Sequence, residues 1–158
     1  MILASDDRAI AQAAQALRDG QLVGIPTETV YGLGADASNA QAVAAIFAAK
    51  GRPKFNPLIS HVVDADAAAK IGELGPLGLA LADAFWPGPF TLITPILDTR
   101  RVCDLARAGL DSVAIRVPAH PVAGEVLAGF GGPVVAPSAN RSGRPSPTTF
   151  TDAVEETG

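Results

Sequence analysis

The chain has 158 residues, of which 48% are hydrophobic and 18% charged; that suffices for one domain with its own core and excludes extended disorder. A formal net charge of -4 disfavours a broad electrostatic grip on nucleic acid, so an anionic ligand would need a local cationic cluster. A single cysteine, Cys103, excludes an internal disulfide, and with no signal peptide or bilayer-length apolar run in view the cytoplasm is the expected compartment.

Ser5 is placed to cap a first helix whose opening turn carries Asp6 and Asp7, at the positive end of the helix dipole. Ile10, Ala13, Ala14 and Leu17 form its apolar stripe, and Gly20 suits its stop. Residues 22–25 read as a buried strand ending at Pro26. Ser38 or Asn39 caps a second helix bearing Val43, Ile46, Phe47 and Lys50 at helical spacing, which Gly51 ends. Residues 58–63 read as another buried strand, with Ser60 and His61 as its polar members. A short helix over 65–71 and a longer one over 77–86 follow, the latter broken by Pro87-Gly88-Pro89. Residues 90–96, 112–117 and 134–136 read as strands; 121–127 and 150–156 read as helices. The interleaving predicts an α/β or mixed α+β fold, with no repeat and no linker.

Charge and hydroxyls concentrate in two places. One runs through Pro26-Thr27-Glu28-Thr29-Val30-Tyr31-Gly32-Leu33-Gly34, Lys50-Gly51-Arg52-Pro53 and Asn56 to His61. The other is Ala136-Pro137-Ser138-Ala139-Asn140-Arg141-Ser142-Gly143, followed by Ser146. There is no P-loop, no third glycine to complete a dinucleotide fingerprint after Gly32 and Gly34, no zinc spacing and no nucleophile elbow. What is left is Lys50, Arg52, Lys54, Asn56 and His61 on one side, with Ser112, Arg116, Ser138, Asn140, Arg141 and Ser146 on the other. Lys and Arg suit phosphate or carboxylate, and Ser and Asn orient a ligand without adding charge. That set can position a polyphosphate while doing little covalent chemistry itself.

Each member also has a plainer explanation. Lys50, Arg52 and Lys54 suit a solvated helix end. His61 suits a satisfied core histidine, Ser138 and Asn140 a turn, and Tyr31 half-buried packing. Arg116 is harder to dismiss, because a lone guanidinium between Val113, Ala114, Ile115 and Val117 needs a partner or a ligand.

The combination resembles the Sua5/YrdC/YciO family of threonylcarbamoyl-AMP synthases. It is carried by the 26–34 segment, Lys50-Gly51-Arg52-Pro53, Asn56-Pro57-Leu58-Ile59, Pro87-Gly88-Pro89-Phe90-Thr91, Ala114-Ile115-Arg116-Val117-Pro118 and Pro137-Ser138-Ala139-Asn140, in family order over almost the whole chain. The resemblance implies a twisted mixed β-sheet with flanking helices around a central, positively charged cavity. It implies a nucleotidyltransferase that turns L-threonine, bicarbonate and ATP into threonylcarbamoyl-AMP and pyrophosphate, for the threonylcarbamoyl modification of adenosine in tRNA. Carried over by motif, Thr29, Tyr31, His61, Arg116 and Ala136 surround threonine. Lys50, Arg52, Asn56, Ser112, Ser138, Asn140 and Ser146 contact ATP, with Lys50 and Arg52 the catalytic cations.

No carboxylate cluster for a protein-held metal is evident, so Mg2+ is expected to arrive on ATP, with no organic cofactor. The downstream threonylcarbamoyl transferase complex is the expected protein partner. The family pattern continues with further strands and a later nucleotide-contacting Arg. The reading is therefore one domain over 1–158, of the short single-domain type and incomplete at its C-terminal end. Two other functions stay open: a non-catalytic double-stranded RNA-binding module, and a carbamoyl-transfer domain of the hydrogenase-maturation type.

Overall fold

Residues 6–157 are described by the structure, a computed structural model. The proposed cap Ser5 lies outside them. Asp6 performs that task, its carboxylate accepting the Ala9 N–H at 2.8 Å at the head of α1 (Asp7–Arg18). Strands β1 (Val23–Ile25) and β2 (Gly32–Asp36) form a hairpin before α2 (Ala40–Lys50), which Asn39 caps and Gly51 ends at φ 59°. β3 (Ile59–His61), α3 (Ala65–Ala69) and α4 (Gly75–Phe85) come next, followed by β4 (Leu92–Pro95) and β5 (Ser112–Arg116). α5 (Pro121–Phe130), β6 (Val134–Val135) and α6 (Phe150–Thr157) complete the order.

The six strands make one mixed sheet in the order β1-β2-β6-β3-β5-β4. Only β3 and β5 pair in parallel; the other neighbours are antiparallel. Side chains alternate between faces, so the register sorts residues into two layers. Ser60, Val113, Ile115 and Val135 lie on one face. It packs on α2 and on the 102–106 segment through Val43, Ile46, Phe47, Val102 and Ala106. Val134 lies on the other face, where it meets Leu17 of α1 and Val126 and Leu127 of α5. Those helices cover only part of it. Ile59, Ala114 and Ala136 remain half-buried, and Ile93 on the edge strand is 75% exposed.

One strand escaped the sequence reading. Residues 32–34 fall in the polar segment that starts at Pro26, and two glycines in five weaken the strand propensity of 32–36. Here glycine answers a packing need: a Cβ on Gly34 would stand 2.7 Å from Ile25 Cδ1, 3.1 Å from Val134 Cγ1 and 3.2 Å from Val23 O. α5 also runs a turn further than expected, to Phe130, ending where Gly131 adopts φ 81°. Gly34→Ala is expected to cost about 1–3 kcal/mol by overpacking. Denaturant unfolding measures it, and a midpoint equal to the unsubstituted chain would contradict this packing.

Candidate active site on the open sheet face

Parity in the ladder brings the predicted residues to one face. His61 pairs with Arg116 and Val134, and Ile59 pairs with Ala114. Ala136 N donates to Ile59 O at 3.2 Å, and Gly32 bridges Ser138. Ser112, Ala114 and Arg116 of β5, Ile59 and His61 of β3, and Ala136 after β6 therefore share the partly uncovered side.

They fall at two ends. His61 and Arg116 stand where β3 and β5 finish. Where those strands begin, Ser112 opens β5, Asn56 precedes β3, and Arg52 Nη2 lies 3.5 Å from Pro57 O; Ser138, bridged to Gly32, follows the antiparallel β6 at the same end. Four residues of strand separate Ser112 from Arg116, roughly 13 Å. Ser112 borders a cavity of about 300 Å³ with Ile93, Pro95, Leu110 and Asp111. A second hollow of about 410 Å³, between Val63, Leu79, Trp86 and Val117, is lined by none of the predicted residues.

Arg116 is only 9% exposed and does have a partner. Nε donates to Gly88 O at 3.2 Å, Nη2 donates to Glu28 Oε1, and Thr29 Oγ1 lies 3.3 Å from both Nη atoms. Glu28 Oε2 accepts the Ala119 N–H at 3.0 Å. Burial alone would raise the Glu28 carboxyl, but hydrogen bonds from its own backbone, Arg116 and Ala119, with the Arg116 charge, hold it below the usual range. Glu28 belongs to the hairpin tip between β1 and β2. Three strand spacings separate β2 from β5, roughly 14 Å, so the tip reaches over the face to meet Arg116. Thr27 shapes the tip, donating to Val30 O at 2.7 Å and accepting the Thr29 and Val30 N–H groups at 3.2 Å. Sequence reasoning quoted Glu28 without giving it a role. The available signal was that it is the only carboxylate in the polar segment, and Arg116 lacked a counterion.

His61 is a core histidine satisfied only in part: backbone hydrogen bonds at Ile59 and Val134 act on the ring. It is buried, yet Nδ1 finds no partner among the described residues. Burial, seconded by the Arg116 charge, pushes the imidazole down to about 4, so it is neutral at physiological pH.

At the other end the structure changes the expected part of Lys50. The side chain is 3% exposed, and Nζ donates to Ser138 O and Asn140 O. The ammonium is committed to the turn and does not face the open surface. Burial, with the Arg52 charge, pushes it down to about 8 against the opposing pull of Glu156. Lys50 O in turn accepts Ser142 N–H at 2.7 Å. Asn140 is structural as well: Nδ2 donates to Arg141 O at 2.9 Å and Arg144 O at 2.8 Å, while Oδ1 is buried without a partner. Glu156 of α6 secures the far side, accepting from Arg141 N at 3.0 Å and Arg144 Nη1 at 2.8 Å.

Of the predicted cations at this end, Arg52 is half-buried, and Lys54 and Arg141 are exposed. Arg52 Nη2 makes only a 3.5 Å contact with Pro57 O, and Nε is buried without a partner. Tyr31, two residues beyond Thr29, ties the hairpin to this turn. Its backbone is stitched to Pro147 O at 2.9 Å and Ala139 N at 2.7 Å, and its side chain packs beside Leu33, Ala139 and Ala153. Ser138 is half-buried and Ser146 exposed. Among the described residues no group of three or more His, Cys, Asp or Glu is placed to hold a metal ion, and no helix is long and apolar enough to cross a membrane.

Comparison with known proteins bears on this geometry. A family model for Sua5, YciO and YrdC proteins, described as "Telomere recombination", matches residues 15–158. The threonylcarbamoyl-AMP synthase of Bacillus subtilis is 48% identical over 147 residues, covering 92% of this chain and 42% of its own length. That of Methylococcus capsulatus is 45% identical over 139 residues, covering 86% and 73%. The crystal structure of Pyrococcus abyssi Sua5 complexed with L-threonine superposes with a TM-score of 0.91 at 44% identity, over 96% of this chain and 44% of that one. The chain thus spans about two fifths of the length of the first curated relatives it matches.

Two outcomes follow from the site's electrostatics. His61 folds with a pKa below its unfolded value of 6.5, so the stability of its neutral form is complete above about pH 6.5 and is lost as pH falls toward 4. An NMR titration should show the ring unprotonated until about pH 4, and a midpoint near 6.5 would contradict its burial. Lys50→Ala should cost about 2–4 kcal/mol by leaving two carbonyls unmatched. Calorimetric melting reads that loss, and an unchanged melting temperature would show that the ammonium does not hold the turn.

Proposed function

The chain belongs to the Sua5/YciO/YrdC family, and from that premise we propose that it makes threonylcarbamoyl-AMP and pyrophosphate from L-threonine, bicarbonate and ATP. The product is the activated donor for threonylcarbamoyl-adenosine in tRNA, which makes the protein a nucleotidyltransferase. The observation that supports this reading most is the split of the open face. A guanidinium, a hydroxyl and a neutral imidazole stand at one end, and a hydroxyl-rich turn with Arg52 stands at the other. A small anion and a polyphosphate fit such a surface end to end.

In this reading Arg116, Thr29 and His61 take the amino acid, and the Ala136 backbone flanks it. Neutral His61 suits the role because it accepts or donates a hydrogen bond without adding charge. The amine adds to the carbon of carbon dioxide released from bicarbonate, giving a carbamate. A carbamate oxygen then attacks the α-phosphorus of ATP, and the bond to pyrophosphate breaks. Carbamate and triphosphate repel one another, so cations that align them lower the barrier. Arg52 supplies that charge directly, with Asn56, Ser112, Ser138 and Ser146 as neutral contacts. Lys50 and Asn140 act through the turn they hold. Mg2+ carried on the phosphates would neutralise the departing pyrophosphate.

A cytoplasmic location and hand-over to a downstream threonylcarbamoyl transferase fit this chemistry. The net charge of -4 weighs against the RNA-binding alternative. Pyrophosphate release should require L-threonine and bicarbonate together, and Arg52→Ala should lower it by about 10²-fold or more. Turnover without threonine would overturn the proposal.

A further inference from the structure

We propose that Glu28 is a positioning residue for the amino-acid end of the site. It holds the Arg116 guanidinium by one edge, so that the opposite fork is presented to a ligand carboxylate. The proposal rests on the reading of Arg116 given above and adds to it the residue that sets its orientation.

A guanidinium offers two bidentate edges, a side edge made by Nε and Nη2 and an end fork made by Nη1 and Nη2. The protein fills the side edge: Nε meets Gly88 O at 3.2 Å and Nη2 meets Glu28 Oε1. The end fork holds a single hydroxyl, Thr29 Oγ1, at 3.3 Å from both nitrogens. That is long beside the roughly 2.7–2.9 Å of a charge-assisted bond. A carboxylate taking the fork would replace these long contacts with short ones, and the Thr29 hydroxyl, now 3.0 Å from Thr27 Oγ1, would turn its proton from that neighbour to the carboxylate.

Glu28 carries the orientation because its two oxygens have separate duties. Oε1 holds Arg116, and Oε2 is fixed by the Ala119 N–H at 3.0 Å from the β5–α5 junction. The carboxylate is therefore located by a second segment before it locates the guanidinium. An arginine side chain has much rotamer entropy to lose; losing it during folding leaves less to lose when ligand arrives. The pair also removes the penalty of an uncompensated buried charge.

The opposite role is also chemically reasonable. Glu28 would then be a rival carboxylate that substrate must displace, and its removal would tighten binding. Titration calorimetry on the 158-residue chain separates the two, using L-threonine and ATP in turn. Glu28→Ala should weaken L-threonine by about tenfold or more while ATP changes by less than about twofold. Glu28→Gln keeps the size and one acceptor, and should weaken L-threonine about threefold; it is the variant to read if Glu28→Ala does not fold. Formate added to Glu28→Ala should restore part of the lost affinity, which a purely structural role would not allow. Unchanged or tighter L-threonine binding in either variant overturns the proposal, as does a parallel loss of ATP binding. So does an unsubstituted chain that binds no L-threonine. A chain that binds L-threonine with this dependence yet releases no pyrophosphate would end the catalytic reading and leave the role of Glu28 standing.

Discussion

A guanidinium buried in an apolar strand has to be matched, and matching Arg116 organises the site end of this molecule. Its strand neighbours Val113, Ile115 and Val117 are core residues, so β5 itself offers no counterion. The match comes from three segments far apart in sequence: the hairpin tip at Glu28 and Thr29, the turn at Gly88 and the β5–α5 junction at Ala119. Leaving such a charge uncompensated costs several kcal/mol. That penalty acts against any fold in which the tip fails to cross the sheet face, so the same demand that stabilises the chain also shapes the surface under the tip.

The second polar cluster obeys the same logic with the signs exchanged. There the unmet groups are carbonyls of a tight turn, and the buried ammonium of Lys50 satisfies them. A single charge at a helix end thereby sets the path of residues 138–142, and Asn140 fixes the next few. Hydrogen bonding is incomplete at Arg52 Nε, His61 Nδ1 and the Arg116 fork, and also at Ser60 Oγ and Asn140 Oδ1 within the scaffold, so an unpartnered group bears on a ligand only where it lies on the open face.

Much of this was legible in the chain itself, and the limits have physical causes. Local signals worked where local physics decides: Asn39 and Gly51 bracket α2, and β5 is close to its predicted span. They failed at β2, because Gly34 answers a contact with Ile25 and Val134, and Gly32 one with Ala136, that no window of neighbouring residues displays. Arg116 announced that it needed a partner, but Glu28 lies 88 positions away and only topology brings them together. Lys50 was read as a cation for ligand because its charge was visible in sequence and the two carbonyls it serves were not.

In the proposed reaction one side of the sheet, roofed by the hairpin tip, receives both ligands end to end. Backbone amide NMR shifts, followed as L-threonine and then ATP are added, test it most directly. L-threonine should first perturb residues 28–30, 61 and 116–119; ATP should then perturb 52–56, 112 and 138–146. Amides of the opposite layer, such as Val43, Ile46 and Val102, should stay still. Perturbation centred on that opposite layer, or the same residues responding to both ligands, would contradict the account.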